Sequence, residues 1–113
     1  MMAMNEKLKV YVVGPYSAED ESEIEHNVDA AIRMGEHIAE AGFVPFIPHL
    51  FHFWGRCYPH EYEFWMMQDI EWLKVCDAIL RLPGESRGAD REVGIAQDLG
   101  LRLFFSIENV PKA

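Results

Sequence analysis

The chain of 113 residues lacks the features that mark secreted, membrane-spanning or nucleic-acid-binding proteins. Its two cysteines, Cys57 and Cys76, form no CxxC pattern, which favours free thiols over a disulfide. No run approaches the roughly 18 apolar residues of a membrane helix, and the Met-rich start lacks a signal peptide's apolar stretch. A net charge of −9 argues against a duplex nucleic-acid binder. We therefore expect a cytoplasmic protein with a disordered start that binds neither a membrane nor a nucleic-acid polymer.

Two further kinds of site are missing from the sequence. Gly14-Pro15 follows the first apolar run without a GxGxxG pattern or a P-loop lysine, so the dinucleotide and triphosphate fingerprints are absent. His49 and His52 form an H-x-x-H pair with no fixed third ligand, and His60 lies farther along. We interpret these histidines as the polar rim of a pocket or as surface residues. Neither a metal nor a cofactor is expected.

Apolar runs alternate with helical periodicities along the whole chain. We predict strands over 8–13, 44–48, 77–82 and 101–107, helices over 24–41, 61–75 and 88–99, and an aromatic loop over 49–60. The resulting order, βαβαβαβ, is typical of a three-layer α/β domain, here spanning 1–113, with a parallel sheet between helices. Prolines in the second strand indicate a sheet edge. Ligands of such sheets bind at the carboxyl ends of the strands.

Two acidic residues, Asp69 and Glu92, lie on helix faces that otherwise read as buried. Their neighbours three and four positions away are all small or apolar, whereas those of Glu36 include charged residues. The neighbours are Trp65, Met66, Trp72 and Leu73 for Asp69, and Gly88, Ala89, Ile95 and Ala96 for Glu92. Each acid either caps a nearby loop or meets an arginine, or the two form a catalytic pair in a cleft. Burial of both favours the pair.

The positions of the two acids predict different chemistry. Glu92 lies near the beginning of its helix, where the dipole favours an ionised carboxylate, a good nucleophile toward an anomeric carbon. Asp69 lies mid-helix among bulky apolar residues, so burial should raise its pKa and suit it to donate a proton or a hydrogen bond. A retaining glycosidase divides its two carboxyl groups in this way.

Aromatic residues are concentrated between 51 and 65. They form either core and a dimer interface, or a platform on which a nucleobase stacks, or both. Phe51, Trp54 and Trp65 are the stacking candidates. Because so much apolar surface is unusual in a small domain, we expect a homodimer or higher homo-oligomer.

Three segments resemble the nucleoside 2-deoxyribosyltransferase-like superfamily, which includes the nucleoside 5′-monophosphate N-glycosidases and many small uncharacterised members. They are VYVVGPYS at 10–17, DIEWLKVCDAILRL at 69–82 and SRGADREVGIAQDLG at 86–100. The resemblance covers nearly the whole chain. It implies a flavodoxin-like or Rossmann-like sheet, and cleavage of an N-glycosidic bond through a covalent glycosyl-enzyme. A nucleoside or nucleotide is the implied partner.

The resemblance also assigns residues. The nucleophilic glutamate of the family, in the pattern Ser-x-Gly-x-x-x-Glu, falls on Glu92, and its helix aspartate falls on Asp69. The serine that receives the 5′-phosphate in the monophosphate glycosidases falls on Ser86, where the N-terminus of the helix at Gly88 would assist it. The remaining pocket-lining assignments are Gly14, Tyr16 and Ser17. The alternatives are a non-catalytic nucleotide-binding or sensing module on the same fold, and a dimeric scaffold.

Overall fold

A computed structural model describes residues 7–111, in which four parallel strands form a sheet of order β2-β1-β3-β4. The strands are β1 Lys9–Val13, β2 Val44–Phe46, β3 Ala78–Arg81 and β4 Arg102–Phe104. The α-helices are α1 Glu21–Glu40, α2 Phe51–Cys57, α3 Tyr62–Leu73 and α4 Arg87–Asp98, and short 3-10 helices span Pro48–Leu50 and Ile107–Asn109. This confirms the α/β fold class. The expected disorder of the Met-rich start concerns residues outside the described range.

The strand order places a switch point at β1. The chain leaves β1 for β2 on one side and later returns to β3 on the other, so the loops that follow β1 and β3 diverge at the carboxyl ends of the strands. Parallel sheets of this kind open a ligand crevice at that place. The edge position predicted for the proline-containing strand is confirmed, since β2 is the outermost strand and Pro45 pairs only with Val10 of β1.

Alternate residues of β1 face opposite sides of the sheet, and both sides are covered. Val10 and Val12 pack with the α1 residues Ala31 and Ile38 in one core cluster. Tyr11 and Val13 belong to a second cluster with members from α3, β3 and α4. That second cluster comprises Tyr11, Val13, Leu73, Cys76, Ile79, Ala89, Ala96 and Leu101. Within residues 7–111, no helix combines the length and apolar character needed to cross a bilayer.

The prediction of a loop over 49–60 is wrong. Pro48 begins a 3-10 turn that leads directly into α2, which ends at Cys57. Neither helix has a side-chain cap, and α2 contains Gly55, so the usual start signals and propensities are missing. Packing supplies the reason for the helix: a Cβ on Gly55 would lie 3.2 Å from the Trp65 ring, so the glycine lets α2 and α3 pack closely.

Candidate active site

A cavity of about 700 Å³ lies at the carboxyl ends of β1 and β3. This volume falls within the range of small-molecule binding pockets. Nine of the ten residues that the sequence indicated as site residues line it. They are Gly14, Tyr16, Ser17, Phe51, Trp65, Asp69, Ser86, Gly88 and Glu92. The structure therefore brings together residues from four separate segments of the chain.

Trp54 is the exception among the sequence-derived site residues. Its ring packs edge-to-face against Trp65, with ring centroids 5.0 Å apart, and against Phe64 at 5.8 Å. The other two aromatic candidates, Phe51 and Trp65, line the cavity with their ring centroids 5.8 Å apart. Trp54 thus supports the aromatic platform from behind, and its assignment as a stacking residue is not supported by its position.

The two carboxyl groups meet at the floor of the cavity, beside the hydroxyl of Tyr11. Glu92 is 6% exposed and Tyr11 is fully buried. The side chains of Asp69, Glu92 and Tyr11 are close enough for each to affect the others' ionisation. The Tyr11 hydroxyl and Asp69 Oδ1 are nevertheless buried without a well-aligned hydrogen-bond partner among residues 7–111. Polar atoms left in this state are unusual in a folded core, and they are typical of sites that act on a ligand.

Both carboxyl groups have raised pKa values in this structure. Burial is the main cause for Asp69. Burial raises the pKa of Glu92 as well, and the adjacent Asp69 carboxyl raises it further. Two carboxyl groups in contact cannot readily ionise together, so the pair holds one proton between them at neutral pH. The raised pKa predicted for Asp69 is confirmed.

The expectation of an ionised Glu92 is wrong for this structure. Helix α4 begins at Arg87, so Glu92 lies in its second turn, where the effect of the helix dipole has largely decayed. Burial and the neighbouring carboxyl outweigh it. The charged residues beside Glu92 face outward: Asp90 pairs with Arg81 at 3.0 Å, and Arg91 pairs with Glu63 at 3.1 Å.

The beginning of α4 forms the polar end of the cavity. Ser86 is its N-cap, and its Oγ accepts a hydrogen bond from the Ala89 N–H at 3.1 Å. The backbone N–H groups of Arg87 and Gly88 precede that bond and cannot pair within the helix. Ser86, Arg87 and Gly88 all line the cavity. Free N–H groups, a serine hydroxyl and a guanidinium at a helix N-terminus form a suitable environment for an anionic group.

Gly14 lines the cavity, and the packing of the chain around it also requires glycine at this position. A Cβ at this position would lie 2.8 Å from Cβ of Leu82, so only glycine lets the chain after β1 pass so close to the end of β3. The loop can then turn toward the cavity with Tyr16 and Ser17.

The sequence patterns gave no indication of the roles of Tyr11 and Glu21. Tyr11 lies in a continuous apolar run and shares its face of β1 with the apolar Val13, so its position carries no signal. His49 and His52 are buried, so of the two interpretations the polar rim is supported for them and the surface position is not. His49 Nε2 donates to the Pro15 carbonyl at 3.0 Å, and burial lowers the His49 pKa, so the ring is neutral. Its other nitrogen, Nδ1, is buried without a partner in the described structure.

His52 joins two residues from different elements. Its Nδ1 lies 2.7 Å from the Tyr16 hydroxyl, and its Nε2 lies 3.5 Å from Glu21 Oε2 at the start of α1. Tyr16 lines the cavity and Glu21 is exposed, so the three side chains run from the pocket to the solvent. Among residues 7–111, no three His, Cys, Asp or Glu side chains gather in a metal-binding arrangement.

Residues 8–106 match the model of a family described as a domain of unknown function, DUF7768. The chain belongs to the DUF7768 family. No curated protein sequence matches this DUF7768 chain.

Solved structures of two 2-deoxyribosyltransferases are similar to this DUF7768 domain. One is the enzyme of the psychrotolerant bacterium Bacillus psychrosaccharolyticus, with a TM-score of 0.57 and 22% identity over 84% of this chain and 69% of that one. The other is the enzyme of Leishmania mexicana, also with a TM-score of 0.57 and 22% identity, over 85% of this chain and 61% of that one. At this identity the likeness shows a shared fold, which confirms the fold implied by the sequence resemblance.

Proposed function

We propose that the protein cleaves the N-glycosidic bond of a nucleoside or nucleoside 5′-monophosphate, by hydrolysis or by transfer of the deoxyribosyl group. The observation that carries this proposal is the pair of adjacent carboxyl groups, Glu92 buried and Asp69 partly buried, on the floor of a cavity large enough for a nucleotide. The fold shared with 2-deoxyribosyltransferases, which are named for this transfer, supports the same conclusion.

Glu92 is the nucleophile in this proposal. The proton of the carboxyl pair moves to Asp69, which leaves Glu92 as a carboxylate that attacks C1′ of the sugar. The C1′–N bond breaks, its electron pair goes to the nucleobase, and a glycosyl ester forms on Glu92. Water or an incoming base then attacks C1′ and frees the glutamate. The Tyr11 hydroxyl lies beside the pair and stabilises the carboxylate when it forms.

The cavity walls fit the other parts of a nucleotide. The flat rings of Phe51 and Trp65 provide the surface on which the base stacks. Ser86, Arg87 and Gly88 bind the 5′-phosphate through a hydroxyl, a guanidinium and backbone N–H groups. The loop residues Tyr16 and Ser17 line the space between these ends. The hydroxyl, the guanidinium and the free N–H groups at the helix N-terminus favour a monophosphate over a free nucleoside.

Base release tests the proposal. The protein is incubated with a panel of 2′-deoxynucleosides, ribonucleosides and their 5′-monophosphates, and free base is measured by chromatography. We expect release from at least one deoxynucleotide, and a loss of about 10³-fold or more in Glu92→Ala because this variant lacks the attacking carboxylate. Glu36→Ala, at an exposed glutamate of α1, is the matched control and should behave as wild type. An active Glu92→Ala protein would contradict the mechanism.

A nucleotide-binding or sensing module on the same fold is the second candidate. The raised pKa of Glu92 favours it, because a protonated carboxyl binds a hydroxyl or a base edge but does not attack carbon. This function predicts a thermal shift with nucleotides and no released base from any member of the panel.

We also propose that copies of the chain associate. Several large apolar side chains are exposed, among them Phe53, Tyr58, Tyr62 and Met67, and Tyr62 also lines the cavity. Sedimentation velocity should show a dimer or larger species, and a monomer at all concentrations would contradict this.

A further inference from the structure

The proposed reaction has one further proton to place. In the proposed step Asp69 takes the proton that Glu92 releases, and its side chain lies beside the nucleophile. In a displacement at C1′ the base leaves from the side opposite the nucleophile, and retaining glycosidases place the proton donor about 5–5.5 Å from the nucleophile. This inference rests on the proposed function and asks where the departing base obtains its proton.

A second polar group on the cavity wall is built for proton transfer. The Tyr16 hydroxyl lies 2.7 Å from Nδ1 of His52, whose Nε2 faces Glu21 Oε2 at 3.5 Å. The His52 side chain is 5% exposed, whereas that of Glu21 is 61% exposed. Asn27 holds the backbone of Tyr16 through a hydrogen bond from Nδ2 to its carbonyl at 3.1 Å. No hydrogen bond, ion pair or ring contact in the described structure joins the side chains of Tyr16, His52 and Glu21 to Asp69 or Glu92.

We propose that Tyr16 is the general acid that protonates the departing nucleobase, and that His52 and Glu21 are its positioning residues. As the C1′–N bond breaks, the base nitrogen receives its electron pair and takes the phenolic proton of Tyr16. His52 passes its Nδ1 proton to the phenolic oxygen and takes up a proton at Nε2, which lies 3.5 Å from Glu21 Oε2. Solvent at the exposed Glu21 side chain supplies that proton. When the glycosyl group is transferred to an incoming base, the same proton-transfer steps occur in reverse, and the incoming base loses its proton to Tyr16.

The neighbouring groups are consistent with this role. Burial and the Glu21 carboxylate raise the pKa of Tyr16, so the phenol keeps its proton until the base withdraws it. His49 stands edge-on to Tyr16, with ring centroids 6.0 Å apart, but its Nε2 proton is donated to the Pro15 carbonyl and its Nδ1 carries none. His49 therefore has no proton to give. Of the two histidines that contact Tyr16, His52 is the one whose ring nitrogen lies within hydrogen-bonding distance of the Tyr16 hydroxyl.

The dependence of rate on the leaving group separates catalysis from structure. Rates are measured for wild type and Tyr16→Phe on a series of accepted substrates whose bases differ in acidity. A base that leaves readily as an anion needs little protonation, whereas a basic one depends on the acid. We expect Tyr16→Phe to lose about 10²–10³-fold on the least acidic base and less than about 10-fold on the most acidic, as general acid catalysis contributes about 10²–10⁴-fold.

The positioning residues and controls complete the design. His52→Gln should show the same dependence with a smaller loss, and Glu21→Gln a smaller loss again. Tyr58→Phe, at an exposed tyrosine outside the lining, should match wild type. Equal losses on all bases in Tyr16→Phe would assign a merely structural role, and an unchanged rate on the least acidic base would remove the role altogether. If Tyr16→Phe gives either of these results while Glu92→Ala is inactive, the role of Tyr16 is wrong and the proposed function stands. If wild-type protein releases no base, the proposed function is wrong as well.

Discussion

The two faces of the sheet are built from the same strands, yet they bury different chemistry. On the α1 face, β1 contributes Val10 and Val12 to an apolar cluster with Ala31 and Ile38. On the α3–α4 face it contributes Tyr11, which lies beside Asp69 and Glu92. One face thus follows the ordinary rules of a hydrophobic core, and the other accepts polar atoms without partners. The difference indicates that the first face contributes stability alone, whereas the second combines an apolar cluster with the candidate site.

The largest expected effect on folding comes from the apolar face. Ile38 is fully buried, so Ile38→Ala should lower the free energy of unfolding by about 2–5 kcal/mol, measured by urea denaturation. Ile32→Ala on the same helix is the matched control, and with its side chain 37% exposed it should lose much less. The activity of folded Ile38→Ala protein should match wild type. Similar losses of stability at the two positions would remove the claim that this face anchors the fold.

A substitution on the α3–α4 face should raise the stability of the protein, whereas Ile38→Ala lowers it. Since burial and Asp69 raise the pKa of Glu92, folded protein binds more protons than unfolded protein above pH about 4.5, the ordinary value, and stability falls as the pH rises. Glu92→Gln removes this ionisation. We expect the free energy of unfolding of this variant, measured by thermal unfolding, to exceed that of wild type by about 1–3 kcal/mol at pH 8 and by less at pH 5.

Two comparisons check that result. Glu36→Gln makes the same chemical change at an exposed site and should leave the pH dependence of stability unchanged. The deficit of Ile38→Ala should also be constant from pH 5 to pH 8, because no titrating group is involved. A Glu92→Gln protein that is less stable than wild type at pH 8 would show that the buried carboxyl is favourable, and would break the contrast between the faces.

The smallest expected effect concerns the helix end that closes the cavity. Ser86→Ala removes the N-cap of α4 and should cost about 1 kcal/mol of stability, measured by thermal unfolding. Ser86→Asp keeps a good cap but introduces a negative charge, so its stability should be near wild type while its preference for monophosphates over nucleosides is lost. Unchanged discrimination in Ser86→Asp would rule out a phosphate at this end.

The sequence predicted the fold and the location of the site from local patterns. Periodicity identified the α/β order. Helices α1 and α4 are followed by Gly42 and Gly100, whose positive φ values of 96° and 91° suit glycine. The residues three and four positions away identified Asp69 and Glu92, because a carboxyl group on an otherwise apolar helix face can be recognised in the sequence. Helix α2 gave no such signal, since tertiary packing of its aromatic residues, and not propensity or capping, supports it.

Contacts between distant segments were beyond the sequence. The pairing of His52 with Tyr16 and Glu21 joins three elements, and nothing in the spacing of these residues indicates it. The protonation of Glu92 depends on how closely Asp69 approaches it, which is again a tertiary quantity. Local reasoning placed Glu92 near the helix start and predicted an ionised group, but burial and the second carboxyl outweigh the dipole.

Trapping a covalent intermediate is the most direct test that Glu92 is the nucleophile. Wild-type protein is mixed with an accepted substrate, or with a 2′-fluorinated analogue that slows its turnover, quenched in acid, digested and analysed by mass spectrometry. We expect a glycosyl adduct on the peptide that contains Glu92, and no adduct in Glu92→Gln. Base release with an adduct on another residue, or with no adduct at any time point, would contradict the assignment of Glu92 as the nucleophile.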